Sequence, residues 1–224
     1  MNQLFLVLAV FLVFLIMVVF YKTLKKDGLY LYICLMASVL CIFLTQSIDI
    51  LLFKVNINIP IIMGIFISSN IIIQRFGIDE VKRILYTFGS SYVMTFIIIT
   101  LVSLTLDSEF TILDSETYNG LFGYNLESIR CFIGNFISVI IMIFIGSGIY
   151  YSIRKSKNIL AISNTITTFV VSFVESIIFV MISYVGNFSA IELLGMLSIR
   201  YVIEVIIGII GCFPMYILVK FIDK

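Results

Sequence analysis

The chain is a succession of long apolar runs, each cut off from the next by a short polar or basic stretch. That pattern leaves few folds open. About 20 apolar residues in helical form cross a hydrocarbon core about 30 Å thick. Lipid offers no partner to a bare backbone, so each run must close its own hydrogen bonds as a helix. Seven runs are long enough, at 3–21, 29–53, 59–76, 84–106, 129–153, 159–184 and 193–220. Composition agrees: 62% of the residues are hydrophobic, 12% are charged, and mean hydropathy is +1.20. A soluble domain carries about 25% charged residues. The expected fold is an all-α integral membrane protein, a bundle of about seven transmembrane helices forming one domain over 1–224. Residues 1–27 are expected to be an accessory N-terminal helix and loop, and 28–224 a six-helix core with no room for a soluble domain. The first run has no polar side chain from Leu4 to Phe20 and no basic leader or small-residue cleavage site, so it reads as a lipid-facing anchor, not a signal peptide. The remaining six runs, as three plus three, fit an inverted-repeat plan.

Lys and Arg set the expected orientation, because cytoplasmic loops collect them. Lys22, Lys25, Lys26, Arg75, Lys82, Arg83, Arg154, Lys155, Lys157, Lys220 and Lys224 fall on one side if every run crosses once, and Lys54 alone on the other. The longest loop of that other side, 107–128, is acidic. The N-terminus is therefore expected outside and the C-terminus in the cytoplasm, in the cell membrane.

Several chemistries are excluded. The chain has no histidine, which removes the Ser–His and Cys–His nucleophile pairs and the usual zinc-ligand sets. Asp49 is the only aspartate in an apolar run, so a facing pair of aspartates is missing too. Net charge is +1, giving no sign of nucleic-acid binding. Cys34, Cys41, Cys131 and Cys212 lie in apolar runs and read as small buried hydrophobes. Neither a catalytic site nor a cofactor or metal is expected.

The informative residues are the polar ones inside the runs. They face the bundle interior, because lipid exposure is costly, and often mark a pathway. Thr165, Thr168, Ser172 and Glu175 share one face of the sixth run. Arg200, Glu204, Gly208 and Gly211 share a face of the seventh, where Arg200 and Glu204 can pair within the helix and Pro214 is expected to kink it. The third run carries Asn70 and Gln74, whose amides offer donors and acceptors together, suited to a nucleobase edge. Arg130, Gly134 and Ser138 share a face of the fifth run, and Ser38, Thr45 and Asp49 a face of the second. Interhelical hydrogen bonding would explain the hydroxyls and amides as well as a solute pathway does.

In order along the chain stand Asn70, Gln74 and Phe76-Gly77 followed by "DEVKR"; Arg130 after "LFGYNLES"; "TTFVVSFVESIIF"; and "EVIIGIIGCFPMY", with Glu204 ten residues before Pro214. From about residue 28 to 220 this order resembles the queuosine precursor transporter family, also called the vitamin uptake transporter family. The family pattern has Asp and Glu where this chain has Asn70 and Gln74, and Tyr where it has Phe76. It has an amide at Ser172, Asp at Glu175 and Lys at Glu204. A polar pair of its fifth span reads Ile143 and Gly146 here. The resemblance implies import of a small heterocyclic solute, a deazaguanine base. Asn70, Gln74, Ser172 and Glu175 would bond the ring edge, Tyr201 or Phe173 would stack on it, and Arg130, Arg200 and Glu204 complete the expected substrate-binding set. Glu175 is the expected site of any proton coupling. The alternatives are the substrate-binding subunit of an energy-coupling-factor vitamin importer, and a membrane interaction protein that transports nothing. The expected partners are the solute, the lipid bilayer, and an energising module or a second copy of the chain; nucleic acid is not among them.

Overall fold

The computed structural model describes residues 2–44, 46–50, 53–104, 126–156 and 159–220. The acidic outer loop falls largely in 105–125, outside them. Among the described residues seven helices follow in chain order: α1 Asn2–Ile42, α2 Ile59–Phe76, α3 Val81–Leu104, α4 Leu126–Ser156, α5 Leu160–Tyr184, α6 Ala190–Ile210 and α7 Cys212–Lys220. A short 3-10 turn, Ile78–Glu80, joins α2 to α3. Their outward faces carry large apolar side chains, from Leu4, Phe11 and Leu15 to Phe144, Phe169 and Ile206. This is the surface of an all-α, multi-pass membrane protein, with lipid as its solvent.

α1 contains the first two expected spans. At 41 residues it would be about 60 Å long if straight, twice a hydrocarbon core. It is not straight. Lys25 adopts φ 51°, ψ −123°, and the chain folds back there. Val13 and Tyr32, on opposite sides of the turn, both lie against Gly64 of α2. The turn brings Gly28 so near the first limb that a Cβ on it would stand 2.0 Å from the Phe20 carbonyl oxygen. The first limb is not simply a lipid-facing anchor: Val13, Phe14, Met17 and Tyr21 are buried against the bundle.

The second span is shorter than expected. Helix ends at Ile42, and Ser47–Ile50 (β1) pairs antiparallel with Phe53–Asn56 (β2), Ser47 opposite Asn56 and Ile50 opposite Phe53. Both segments alternate polar and apolar residues, S-I-D-I and F-K-V-N, the period of a strand and not of a helix. Asp49 therefore stands in a hairpin, not in a helix with Ser38.

α2 coincides with the expected third span and is the central helix. Fifteen of its residues, from Ile59 to Ile73, are buried. α1, α4 and α6 pack round it, while α3 lies outside, packed along α1 and against α4 through a stack of Phe88, Tyr92 and Phe96 on Phe132 and Phe136. α6 breaks at Gly211, and α7 continues with Pro214 in its first turn. Proline clashes with the carbonyl four residues earlier, here Ile210, the last residue of α6. One end of the bundle holds Lys26, bonded to Glu80 at 2.6 Å, with Arg75 and Arg154; the other holds the hairpin. They are called the basic end and the hairpin end below.

The turn at Lys25 yields a prediction. Gly28→Ala drives a methyl into backbone and should cost about 2 kcal/mol, as overpacking does. Lys25→Gly removes a residue from a conformation that favours glycine and should raise stability by about 1 kcal/mol. Thermal unfolding in detergent checks both; an unaffected Gly28→Ala protein would mean the limbs do not fold back this closely.

Candidate functional site

Polar side chains form a continuous buried column through α2, α4, α5 and α6. At the hairpin end, Asn58 Nδ2 donates to Asn135 Oδ1 at 3.4 Å. One turn deeper in α4, the Ser138 hydroxyl donates to Glu175 Oε1 at 2.8 Å. Arg200 of α6 grips the same carboxylate of α5 with two bonds, Nη2 to Oε1 at 2.7 Å and Nε to Oε2 at 3.0 Å. Its guanidinium carbon also lies 3.9 Å from the centre of the Phe179 ring. Glu204, one turn on in α6, has Oε1 3.0 Å from Arg200 Nε, but that N–H is directed at Glu175. Neither Glu204 oxygen accepts a hydrogen bond from a described side chain by geometry, although Ser172 and Glu175 stand beside it. Glu175 and Glu204 are wholly buried and Arg200 nearly so.

The column continues toward the basic end. Asn164 of α5 donates to the Gly208 carbonyl at 3.1 Å and to Cys212 Sγ at 3.2 Å, and its Oδ1 accepts from Asn70 Nδ2 at 3.1 Å. One turn beyond Asn70, Gln74 Oε1 accepts from the Tyr150 hydroxyl at 3.0 Å and from Arg154 Nε at 2.8 Å. An open recess of about 290 Å³ lies there, lined by Gln74, Tyr150, Tyr151, Arg154 and Lys155. From Asn58 to Gln74 the column runs about 24 Å along α2 at 1.5 Å per residue, most of the hydrocarbon thickness.

Glycines let these helices meet. A Cβ on Gly208 would stand 2.3 Å from a Thr168 methyl and 2.8 Å from the Met63 side chain, so α6 reaches α5 and α2 together only with glycine there. Several polar atoms of the column have no hydrogen-bond partner among the described residues: Asn58 Oδ1, Asn135 Nδ2, Thr168 Oγ1, Ser176 Oγ and Asn70 Oδ1. Such groups cost stability when buried dry and are the groups a polar solute can satisfy.

Of the residues anticipated from sequence, Asn70, Gln74, Ser172, Glu175, Arg200 and Glu204 lie in the column. Arg130 does not. It sits at the hairpin end and donates to the Ile182 carbonyl at 3.1 Å, to the Val185 carbonyl and to Asn187, closing the open carbonyls of the α5 terminus. Tyr201 is also off the column, and its ring meets half-exposed Phe173 edge-on at 5.8 Å on the outer face. Stacking on a solute inside the bundle is therefore not open to either ring in this arrangement. Arg200 pairs across to Glu175 through two hydrogen bonds and also, as its spacing suggested, lies within ion-pair distance of Glu204 in its own helix at 3.0 Å. Thr165 is only partly buried, whereas Asn164 takes the inward position. Asn164 stands four residues before Thr168 and extends the same stripe, a signal the sequence contained. Asn58 and Asn135 had no comparable pattern to announce them.

A helical membrane bundle with a buried polar column bonded at both ends has the make-up of a solute transporter. The profile described as "Putative vitamin uptake transporter" matches residues 57–219, more than half of the chain. The protein belongs to the vitamin uptake transporter family. No curated protein and no solved structure matches it. The match begins at α2, so the α1 pair and the hairpin precede it and the whole column lies within it.

Replacing Arg200 by Met leaves two buried carboxyl groups without a counter-charge and should cost about 3–5 kcal/mol. Glu204→Gln should stay within about 1 kcal/mol of the native protein, since that carboxyl accepts no hydrogen bond. Unfolding midpoints in detergent report both. An Arg200→Met protein as stable as the native one would mean that the triad is not assembled in this way.

Proposed function

We propose that the chain imports a flat, nitrogen-rich heterocycle along the polar column, specifically a deazaguanine base of the queuosine precursor type. The observation that carries the reading is the column, whose amides and carboxylates present acceptors and donors at successive levels. The edge of such a base alternates N–H donors with a carbonyl acceptor. The Asn58–Asn135 and Asn70–Asn164 pairs can each offer both, and each retains an atom without a partner. Membership of the vitamin uptake transporter family supports transport of a small solute. The basic end is the cytoplasmic one by the excess of Lys and Arg, in the plasma membrane. Import then runs from the hairpin end to the basic end.

Two sets of contacts act as gates in this reading. At the hairpin end the Tyr184 hydroxyl donates to Asn56 Oδ1 at 2.7 Å, beside the Asn58–Asn135 bond. At the basic end Gln74 holds Tyr150 and Arg154. The solute passes when one set parts while the other stays closed. α2 moves relative to α4, α5 and α6, which the Glu175 carboxylate holds together, across crossings that Gly146 and Gly208 keep thin.

The test is complementation of a bacterium that cannot make deazaguanines. The chain is expressed, each precursor base is supplied at low concentration, and queuosine in tRNA is scored. The native chain should restore modification. Asn70→Leu and Asn164→Leu, at normal membrane levels, should reduce it at least tenfold, about what one lost hydrogen bond to a buried group represents. Tyr201→Leu should leave it intact. Full activity in well-inserted Asn70→Leu would move the pathway away from the column, and failure of every base would reject the solute class.

A further inference from the structure

The buried triad is one positive charge short. Two carboxyl groups, Glu175 and Glu204, share the single guanidinium of Arg200, all within the membrane-spanning part of the bundle. Among the described residues their surroundings supply no second cation. α2 carries no titratable side chain except Arg75 in its last turn, at the basic end. From α4 come the Ser138 hydroxyl, which is bonded to Glu175, and the buried Cys131 thiol, farther toward the hairpin end in the surroundings of Arg200. From α5 come Ser172, beside Glu204, and Tyr184, farther toward the hairpin end in the surroundings of Arg200. A net charge left in such a place is among the most costly features a membrane protein can have.

The two carboxyl groups are not equivalent. Glu175 accepts three hydrogen bonds, two from Arg200 and one from Ser138, which together favour its ionised form. Glu204 accepts none by geometry from a described side chain, and its Oε1 and the Oε2 of Glu175 both lie 3.0 Å from the same Arg200 Nε. Two carboxyl groups in contact stay together when they share a proton. We propose that the Glu175–Glu204 pair holds one proton, carried by Glu204 and shared with the Glu175 carboxylate, and that solute import exchanges this proton across the membrane. The sequence pointed to Glu175 for this role; the geometry transfers it to Glu204. In each cycle the proton reaches the Glu204 carboxylate from water at the hairpin end when that gate parts. It leaves to water at the basic end when the other gate parts, and Arg200 turns to the ionised Glu204 until the next proton arrives. The coupling rests on the transport reading above, whereas the shared proton does not.

Two measurements on the full chain separate the two parts. Infrared spectroscopy of the purified protein in lipid nanodiscs at neutral pH reads protonated carboxyl groups directly, and carbon-13 labelling of glutamate assigns them without any substitution. A glutamic-acid carbonyl band is expected. It should vanish in Glu204→Gln and in Glu175→Gln, each of which leaves one carboxylate to one guanidinium, and persist in Glu127→Gln at the exposed start of α4. Absence of the band in the native protein overturns the shared proton. Uptake of the deazaguanine bases into liposomes then tests the coupling. With one proton per solute, accumulation should rise about tenfold for each pH unit of inward gradient, and Glu204→Gln should lose that response. Uptake indifferent to the gradient, or a Glu204→Gln protein that still responds, overturns the coupling. A band with no uptake of any base supports the shared proton and rejects the solute assignment instead.

Discussion

The grip of Arg200 on Glu175 is the interaction on which the rest of the bundle depends. A guanidinium can lie in the interior of a membrane protein only when its donors are met by fixed acceptors. Here the acceptor belongs to another helix, so α5 and α6 are committed to each other at one rotation and one height. Ser138 fixes α4 to the same carboxylate, and Glu204 follows one turn along α6. With that centre in place, the opposite faces of these helices are turned to lipid, and they carry apolar side chains such as Phe169, Phe173 and Ile206. The driving force is the avoidance of uncompensated charge in hydrocarbon more than attraction between apolar surfaces, which lipid satisfies equally well.

α2 completes the arrangement. It is buried on nearly every side and, with Asn58 at its N-cap, presents Asn58, Asn70 and Gln74 at three heights, the first and last bonded to α4 and Asn70 to α5. A central helix with a polar partner at each level is suited to a pathway. The hydrogen bonds there are few and replaceable, so a solute with its own donors and acceptors can take them over at modest cost. Gly146, against Phe66, and Gly208, against Thr168 and Met63, keep the crossings thin enough for helices to move as bodies. Stability is given up in return. Buried hydroxyl and amide atoms without partners are what a protein selected only for stability would remove.

Much of this was legible in the sequence. A transmembrane span is a local property, set by about 20 consecutive residues and the solvent they require. All the spans but the second therefore stand within a few residues of their expected places, and 59–76 coincides with α2. The polar stripe of α5 was legible as well, because residues three and four apart share a face whatever the neighbours. Glu175, Arg200 and Glu204 were visible for the same reason: ionisable side chains in an apolar run have nowhere to go but inward. The strands at 47–50 and 53–56 escape a hydropathy reading because it adds up Ile48, Ile50, Phe53 and Val55 without regard to their alternation with Ser47, Asp49, Lys54 and Asn56.

What the sequence determined by itself is the class of protein, the limits of every span but the second, and the polar face most helices must turn inward. Tertiary structure decided which faces meet. A shift of one residue turns a helix position by about 100°, enough to place Asn164 inside and Thr165 at the edge. Arg200 had a legitimate partner four residues away in Glu204, and only the rotation of α5 gave it the better one in Glu175. Arg130 and Tyr201 carried the right chemistry for a site and lie off the column, because the end of α5 and the outer face of the bundle claim them. A sequence states what each side chain requires; the packing of all the helices together settles which of several acceptable partners it receives.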